Sequence, residues 1–387
     1  MKLVPLVKVA RVVSGGTPKT AVAEYWGGDI PWATPKDLSS LKAVEIHSTP
    51  RGLTPAGLKA SSAEVLPTNS VLFSSRAPIG LLAINSVPMA TNQGFKSFVP
   101  DPTQLEARYL YRWLEYNRKW LQSLGVGATF KEVSKATVSR IELPLPSVAE
   151  QRRIAAILDK TDELRAKRRK AIAHLDALNQ SIFHSMFEKT QHQTSSIELA
   201  DAVAPGTIVT YGIVQAGEEF PGGVPYIRTG DLSDGRIASE KLRRTDPVIA
   251  SKFERSRVSA DDIVMSIRAT VGTVAQVPPA LDGANLTQGT ARIAPGPDMT
   301  SSYLLEYLRA EPTQRWIQRN VKGATFKEIT LERLRRLPVT TPPLELQQTF
   351  ATRIAAVERL KETHRKHLAE LDALFASLQS RAFKGEL

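Results

Sequence analysis

The sequence contains no cysteine among its 387 residues. Disulfides, thiolate zinc sites, iron–sulfur clusters and cysteine nucleophiles are therefore excluded, and the chain suits a reducing compartment. No apolar run approaches the roughly 18 residues of a membrane span, and Met1–Lys8 lacks the apolar stretch of a signal peptide. These absences predict a soluble, cytoplasmic protein. Catalytic signatures are missing as well. There is no Gly-Lys-Ser/Thr phosphate loop, no His-Glu-x-x-His and no Gly-x-Ser-x-Gly elbow. Gly125-Val126-Gly127 opens a dinucleotide-like pattern, but Phe130 stands where the third glycine is needed. Pro100-Asp101 and Pro297-Asp298 are not followed by Glu-x-Lys, and the Asn-Pro-Pro-Tyr/Phe run of amino-methyltransferases is absent. The expectation is a chain that performs no chemistry, with no metal and no cofactor of its own.

What is present is positive charge and a repeat. The net charge is +12 with a pI near 9.8, which suggests a polyanionic partner, most often nucleic acid. The excess is +7 over residues 1–147, +3 over 148–190, and +1 in each of 191–343 and 344–387. Gly127-Ala128-Thr129-Phe130-Lys131-Glu132 recurs 196 residues later as Gly323-Ala324-Thr325-Phe326-Lys327-Glu328. The same offset carries Pro146 to Pro342, Gln151 to Gln347, Leu175–Leu178 to Leu371–Leu374, and Phe187 to Phe383. Upstream the match continues at 194: Pro31-Trp32 with Pro225-Tyr226, and Tyr109-Leu110 with Tyr303-Leu304. The chain is two copies of one unit, a variable globular part followed by a better-matched tail.

Each tail reads as a long helix. Ile154, Ile157, Leu164, Ala171, Leu175, Leu178 and Ile182 step by threes and fours with Thr161 and Arg168 interrupting; Val357, Leu360, Leu371, Leu374 and Leu378 keep that phase with His364 and His367 interrupting. Prolines precede both and neither contains Gly or Pro before its end. About 40 residues at 1.5 Å each give ~60 Å, too long for one small domain, so each helix needs a partner; the other helix, running back antiparallel, is expected to supply it, with packing of each helix on its own domain as the alternative. His364 and His367 have a metal-ligand spacing, but the matched positions hold Arg168 and Ala171, so a packed or solvated pair is expected. The basic run within Arg165–Lys170 reads as the wet face of the helix, with phosphate contact as the alternative. In the globular parts, short apolar runs such as Val71–Phe73 and Ile263–Ser266 predict strands. A helix is predicted over Glu106–Gln122, burying Tyr109, Leu110, Trp113, Leu114, Trp120 and Leu121, with Tyr303–Val321 as its counterpart; Thr129, Phe130, Thr325 and Phe326 are expected as core and cap residues.

Gly15-Gly16-Thr17-Pro18, the run Tyr25–Leu38, Thr91-Asn92-Gln93-Gly94-Phe95, and Leu143-Pro144-Leu145-Pro146 followed by Glu150-Gln151-Arg152-Arg153-Ile154 resemble, in that order and in duplicate, the DNA-specificity (S) subunit of type I restriction–modification systems. The second copy departs from the pattern: Leu346 stands where the first has Glu150, Phe350 replaces Ile154, and Gly222-Gly223-Val224-Pro225 lacks the aromatic and acidic neighbours. The expected fold class is α+β, two pseudo-twofold-related α/β target recognition domains joined by two long antiparallel helices in a coiled-coil-like spacer. The divisions are 1–147 and 191–343 for the recognition domains, 148–190 and 344–387 for the helices. The resemblance implies a subunit without catalysis, each domain reading one half of a bipartite double-stranded DNA site. It implies that two methyltransferase subunits dock on the helices and that a restriction/translocase subunit joins them. S-adenosylmethionine, ATP and Mg would belong to those partners.

Side-chain chemistry and matched position single out the candidate DNA-binding residues. Arg76 and Arg268 come just after apolar strands; Asn92, Gln93 and Gln288 offer amides suited to adenine; Lys36 and Arg228 come after aromatic-bearing strands; Lys131 and Lys327 lie in the best-matched six residues. Candidates for methyltransferase docking are Gln151, Ile172, Gln347 and Leu368, on the outer faces and starts of the helices. The competing readings are a protein-binding scaffold with duplicated domains and a stand-alone nuclease or methyltransferase.

Overall fold

Frequent Pro, Gly and Asn chop the apolar runs into strands of two to eight residues, and the same small sheets recur in both halves. The computed structural model describes residues 1–127, 131–191, 196–233, 235–323 and 326–387. It divides into two units, Met1–Arg168 with His367–Leu387, and Arg169–Lys366. In the first, a five-stranded sheet runs Ala10–Ser14, Lys96–Pro100, Val71–Phe73, Leu82–Asn85, Glu45–Ile46, and a three-stranded sheet runs Gly52–Leu53, Trp26–Ala33, Ala90–Thr91. The second unit repeats the plan: Thr210–Tyr211, Thr290–Ile293, Ile263–Ser266, Val274–Gln276, beside Arg243–Thr245, Val224–Ile227, Asn285–Leu286. In each smaller sheet the central strand pairs antiparallel on one side and parallel on the other.

The helix expected over Glu106–Gln122 forms as two pieces, Ala107–Tyr116 and Arg118–Ser123, hinged at Asn117. Its counterpart is Ser301–Arg309 and Glu311–Arg319, where Pro312 opens the second piece, a position that tolerates its missing N–H. Trp120 is corrected from core to surface; it is 44% exposed, its ring lying edge-on to Trp113. Phe326 is 88% exposed and is corrected from a core residue to a surface one. Thr129, Phe130 and Thr325 lie outside the described residues.

The two tails are single helices, Val148–Gln191 and Leu344–Lys384. Their covered face keeps Ile154, Leu175, Ile182, Val357, Leu371 and Leu378 of the apolar pattern but lies one residue beyond it at the alternate positions. Leu164, Leu178, Leu360 and Leu374, expected inside, are 40–48% exposed. The covered positions are Gln151, Ile154, Leu158, Thr161, Arg165, Arg168, Ile172, Leu175, Asn179, Ile182 and Met186, and the same positions shifted by 196, from Gln347 to Ala382. Both sets step by three and four throughout, the seam of a left-handed helix pair. Arg165 is therefore no wet-face residue. In the first unit it bonds Asp372 at 2.6 Å and lies 4.3 Å over the Phe375 ring. In the second unit its repeat mate Lys361, 1% exposed, bonds Asp176, the repeat mate of Asp372, also at 2.6 Å. One turn beyond Asp176, Asn179 donates to Glu358, one turn before Lys361, so the helices run antiparallel there.

Each globular part seats on this seam through a buried ionic residue, and the two seats have opposite sign. In the first, Arg112 of the helix Ala107–Tyr116 is 2% exposed and meets Glu115 (2.8 Å), Asp159 (2.8 Å) and Asp162 (3.1 Å). Burial works against its charge, but Glu115 and Asp159 raise its pKa above the ordinary arginine value. At the matched position of the second unit stands Glu306, also 2% exposed, held by Arg309 at 2.8 Å and by the Gln180 amide. Burial raises the Glu306 pKa despite Arg309.

Candidate nucleic-acid interface

Five loops converge in each globular part, held by hydrogen bonds that fix where their side chains emerge. In the first, Thr34 caps a short helix through Asp37, whose carboxylate accepts from the Thr34 N–H at 2.7 Å, and this sets Lys36 on an exposed first turn. The Thr91–Gly94 loop packs beneath it. Asn92 N–H donates to Ala33 O (3.0 Å), and Asn92 Oδ1 accepts from Gly94 N–H (2.9 Å). Gly15 must be glycine, because a Cβ there would sit 2.0 Å from Asn92 O. The next turn of that loop brings Thr17 against the Gln93 amide. Ser75 N–H donates to Gly94 O and Val133 N–H to Ser75 O, which ties Arg76 to the end of the first six-residue repeat at Glu132.

The second unit repeats these ties. Thr287 N–H donates to Ile227 O, Ile267 N–H to Gly289 O, and Ile329 N–H to Ile267 O. A Cβ on Gly212 would lie 2.0 Å from Leu286 O, the same close approach as at Gly15. Lys36, Arg76, Asn92, Gln93 and Lys131 thus belong to one loop cluster, and Arg228, Arg268, Gln288 and Lys327 to its repeat.

Their availability differs. The six-residue repeat is pinned at its base in both units: Val126 and Glu132 exchange two backbone bonds of 3.0 Å, and Lys322 and Glu328 do the same at 2.8 and 3.0 Å. The closing glutamate holds the cluster's arginine, Arg76 Nε to Glu132 at 2.8 Å and Arg268 Nε to Glu328 at 3.1 Å. Lys96 shares Glu132 at 3.2 Å; burial opposes the charge of Glu132, but Arg76 and Lys96 win and lower its pKa. Arg228 gives its fork to Asp231, Nε at 3.0 Å and Nη2 at 2.8 Å, and that carboxylate raises its pKa. Asn92 is a loop brace, with a carbonyl lone pair already used. Lys36, Gln93, Lys131 and Lys327 are exposed. The composite surface offers exposed ammonium groups around guanidinium groups held by carboxylates. That combination suits phosphate contact more readily than base reading by Arg76, Arg228 or Arg268.

The docking candidates fall inside the chain. Gln151 and Gln347 are 0% exposed, so neither side chain can meet a partner. Each pins its helix to its globular part instead. Gln151 Oε1 accepts from Glu106 N–H (2.8 Å), and its amide donates to Gln104 O (2.9 Å) and Pro146 O (3.0 Å). Gln347 does the same with Thr300 N–H (2.8 Å), Asp298 O (2.9 Å) and Pro342 O (2.8 Å). Ile172 and Leu368 are half-buried seam residues rather than outer-face residues. Gln151→Ala is expected to cost about 1–3 kcal/mol, because it removes the partner of three part-buried backbone groups. The lowered urea midpoint of the full chain would register it, and an unchanged midpoint would refute the pin.

Sequence reasoning missed Arg51. Its guanidinium lies 4.6 Å from the Trp32 ring centroid and 5.7 Å from that of Trp26. Neither residue spacing nor the repeat pointed to it.

Among known families, that described as the type I restriction modification DNA specificity domain matches residues 1–174 and 212–373. The chain is 36% identical over 181 residues to the type I restriction enzyme MjaIX specificity subunit of Methanocaldococcus jannaschii, a match spanning 46% of this chain and 42% of that one. It is 23% identical to the EcoBI specificity subunit of Escherichia coli over 99% of this chain and 80% of that one. The crystal structure of a type I restriction–modification S subunit from M. genitalium shares the fold, with a TM-score of 0.54 at 13% identity over 99% of this chain and 96% of that one. A chain from a structure of a type I restriction–modification system aligns with a TM-score of 0.56 at 18% identity, over 100% and 98%.

Proposed function

Because this chain belongs to the family of type I restriction–modification DNA specificity subunits, we propose that its two globular parts are target recognition domains that each read one half of a split double-stranded DNA site. It is the non-catalytic recognition component of such a system. The observation that carries the reading is the duplication of one cationic loop cluster on two related but unlike domains. Shared residues of the cluster, Lys131 and Lys327 above all, suit a feature common to both half-sites, the phosphate backbone. Unlike residues suit half-sites of different sequence. Two such modules on one helical connector engage half-sites at a set separation.

Two methyltransferase subunits and a restriction/translocase subunit complete the assembly, and S-adenosylmethionine, ATP and Mg act in those partners. The docking surface for the methyltransferases includes the exposed leucines of the long helices: Leu164 and Leu374 in the first unit, Leu178 and Leu360 in the second. They are repeat mates at an offset of 196, as two copies of one partner require.

DNA binding by the assembled complex is expected to weaken steeply with salt, log K falling linearly with log salt by about 0.9 for each phosphate neutralised. Titrating binding between 50 and 200 mM salt checks it. A flat response would favour a protein-binding scaffold.

A further inference from the structure

We infer that Arg51 reads a base edge, a guanine, in the half-site of the first recognition domain. The inference rests on the DNA-reading function proposed above and names a residue that carries its specificity. Base recognition in the major groove asks for a planar fork of donors whose edge is uncommitted, and arginine meeting guanine O6 and N7 is the commonest case. Arg76, Arg228 and Arg268 do not qualify with every donor free, since Glu132 holds Nε of Arg76, Asp231 holds Nε and Nη2 of Arg228, and Glu328 holds Nε and Nη2 of Arg268. Arg51 does. It is exposed, and its guanidinium makes no hydrogen bond or ion pair among the described residues.

Its face is committed even though its edge is not. The Trp32 ring beneath it is 2% exposed and fixed by its own Nε1–H, which donates to Gly16 O at 2.9 Å. Trp26 meets Trp32 edge-on at 4.9 Å. A guanidinium stacked on an immobile indole keeps its plane while its N–H groups point outward, so less freedom is lost when it docks on a base. The platform also touches the loop cluster, for Gly16 adjoins Thr17, whose side chain meets Gln93.

The second unit places an arginine at the matching register. Trp32 N–H bonds Arg51 O across the smaller sheet, and in the repeat Tyr226, the mate of Trp32, stands opposite Arg243. Arg243 is exposed, and its side chain makes no hydrogen bond or ion pair among the described residues. The connection from aromatic to arginine is two residues shorter there, which puts Arg243 off the 194-residue offset and hides the match from the sequence.

The test compares the assembled complexes carrying wild-type chain, Arg51→Lys and Arg51→Ala on a DNA library randomised through both half-sites, read by sequencing the methylated products. Both variants are expected to lose discrimination at one G·C position of one half-site by roughly tenfold to a hundredfold. Every other position and the salt slope should stay unchanged, and the intact second half-site reports a folded chain. If Arg51→Lys matched the wild type while Arg51→Ala weakened all sequences alike and lowered the salt slope by about one, Arg51 would be a phosphate contact and the inference would fail. Wild-type discrimination in both variants would reduce it to a surface stack. Failure of the function itself would look different: the wild-type complex would bind without salt dependence.

Discussion

Replacing Arg112 by leucine is expected to destabilise the first unit by about 3–5 kcal/mol, the cost of breaking a buried ionic network by removing one partner. The guanidinium is 2% exposed and donates to three carboxylates, those of Glu115, Asp159 and Asp162. Leucine fills much of the space but leaves those carboxylates facing one another with one cation fewer. Arg108 still reaches Asp159 at 3.0 Å and Arg165 still reaches Asp162 at 2.8 Å, so the loss stays short of complete unfolding. The matched residue of the second unit sharpens the test. Glu306 and Arg309 hold the positions of Arg112 and Glu115 with the signs exchanged, and the repeat mate of Asp159 is Ala355. Arg112→Glu alone should therefore exceed the leucine effect, because it adds a fourth carboxylate. Adding Glu115→Arg and Asp159→Ala should recover part of the loss, because the triple variant restores the second unit's Glu–Arg pair but not the Gln180 amide, whose repeat mate is Ala376. Urea unfolding of the full chain measures all three. Additive effects among these substitutions would show that the residues do not act as one network.

The duplication, the paired long helices and the α+β class were legible because the repeat fixes them. Two segments aligned without a gap must fold alike, and a 44-residue helix cannot be covered by one small domain. Alternate positions of the seam were not legible. Apolar residues at 157, 164, 171 and 178 suggested one face, whereas the covered face holds Arg165 and Lys361, each neutralised by an aspartate of the other helix. A periodicity count scores a buried cation as a surface residue and cannot know that its counter-ion arrives from some 200 positions away. The same blindness placed Gln151 and Gln347 on the outside: glutamine is polar by type, yet here its amide closes three backbone bonds. In the loop cluster the sequence named loops that the fold brings together but not which side chains are free. Glu132 and Glu328 decide that for Arg76 and Arg268, and the sheet register, not the repeat offset, reveals Arg51 and Arg243.

Insertion of one helical turn beside Lys167 is expected to change the spacing between half-sites that the assembled complex accepts. Val148–Gln191 is one unbroken helix without Gly or Pro, so four added residues lengthen it by about 6 Å at 1.5 Å each. They also rotate the C-terminal half of the helix by about 40°, because four residues exceed a turn of 3.6 by that amount. One base pair advances the duplex by about 3.4 Å and, at 10.5 per turn, by roughly 34°. The rotation matches one added base pair and the rise permits two, so sites with a spacer longer by one pair, two at most, should become the methylated ones. Sites with the original spacer should lose methylation by more than tenfold, since the second domain would then meet its half-site out of phase. Neither half-site sequence should change, because the insertion leaves both loop clusters untouched. Sequencing the methylated sites of the variant complex decides the matter. The original spacing with undiminished methylation would mean that the helix does not set the distance, whatever reads the bases.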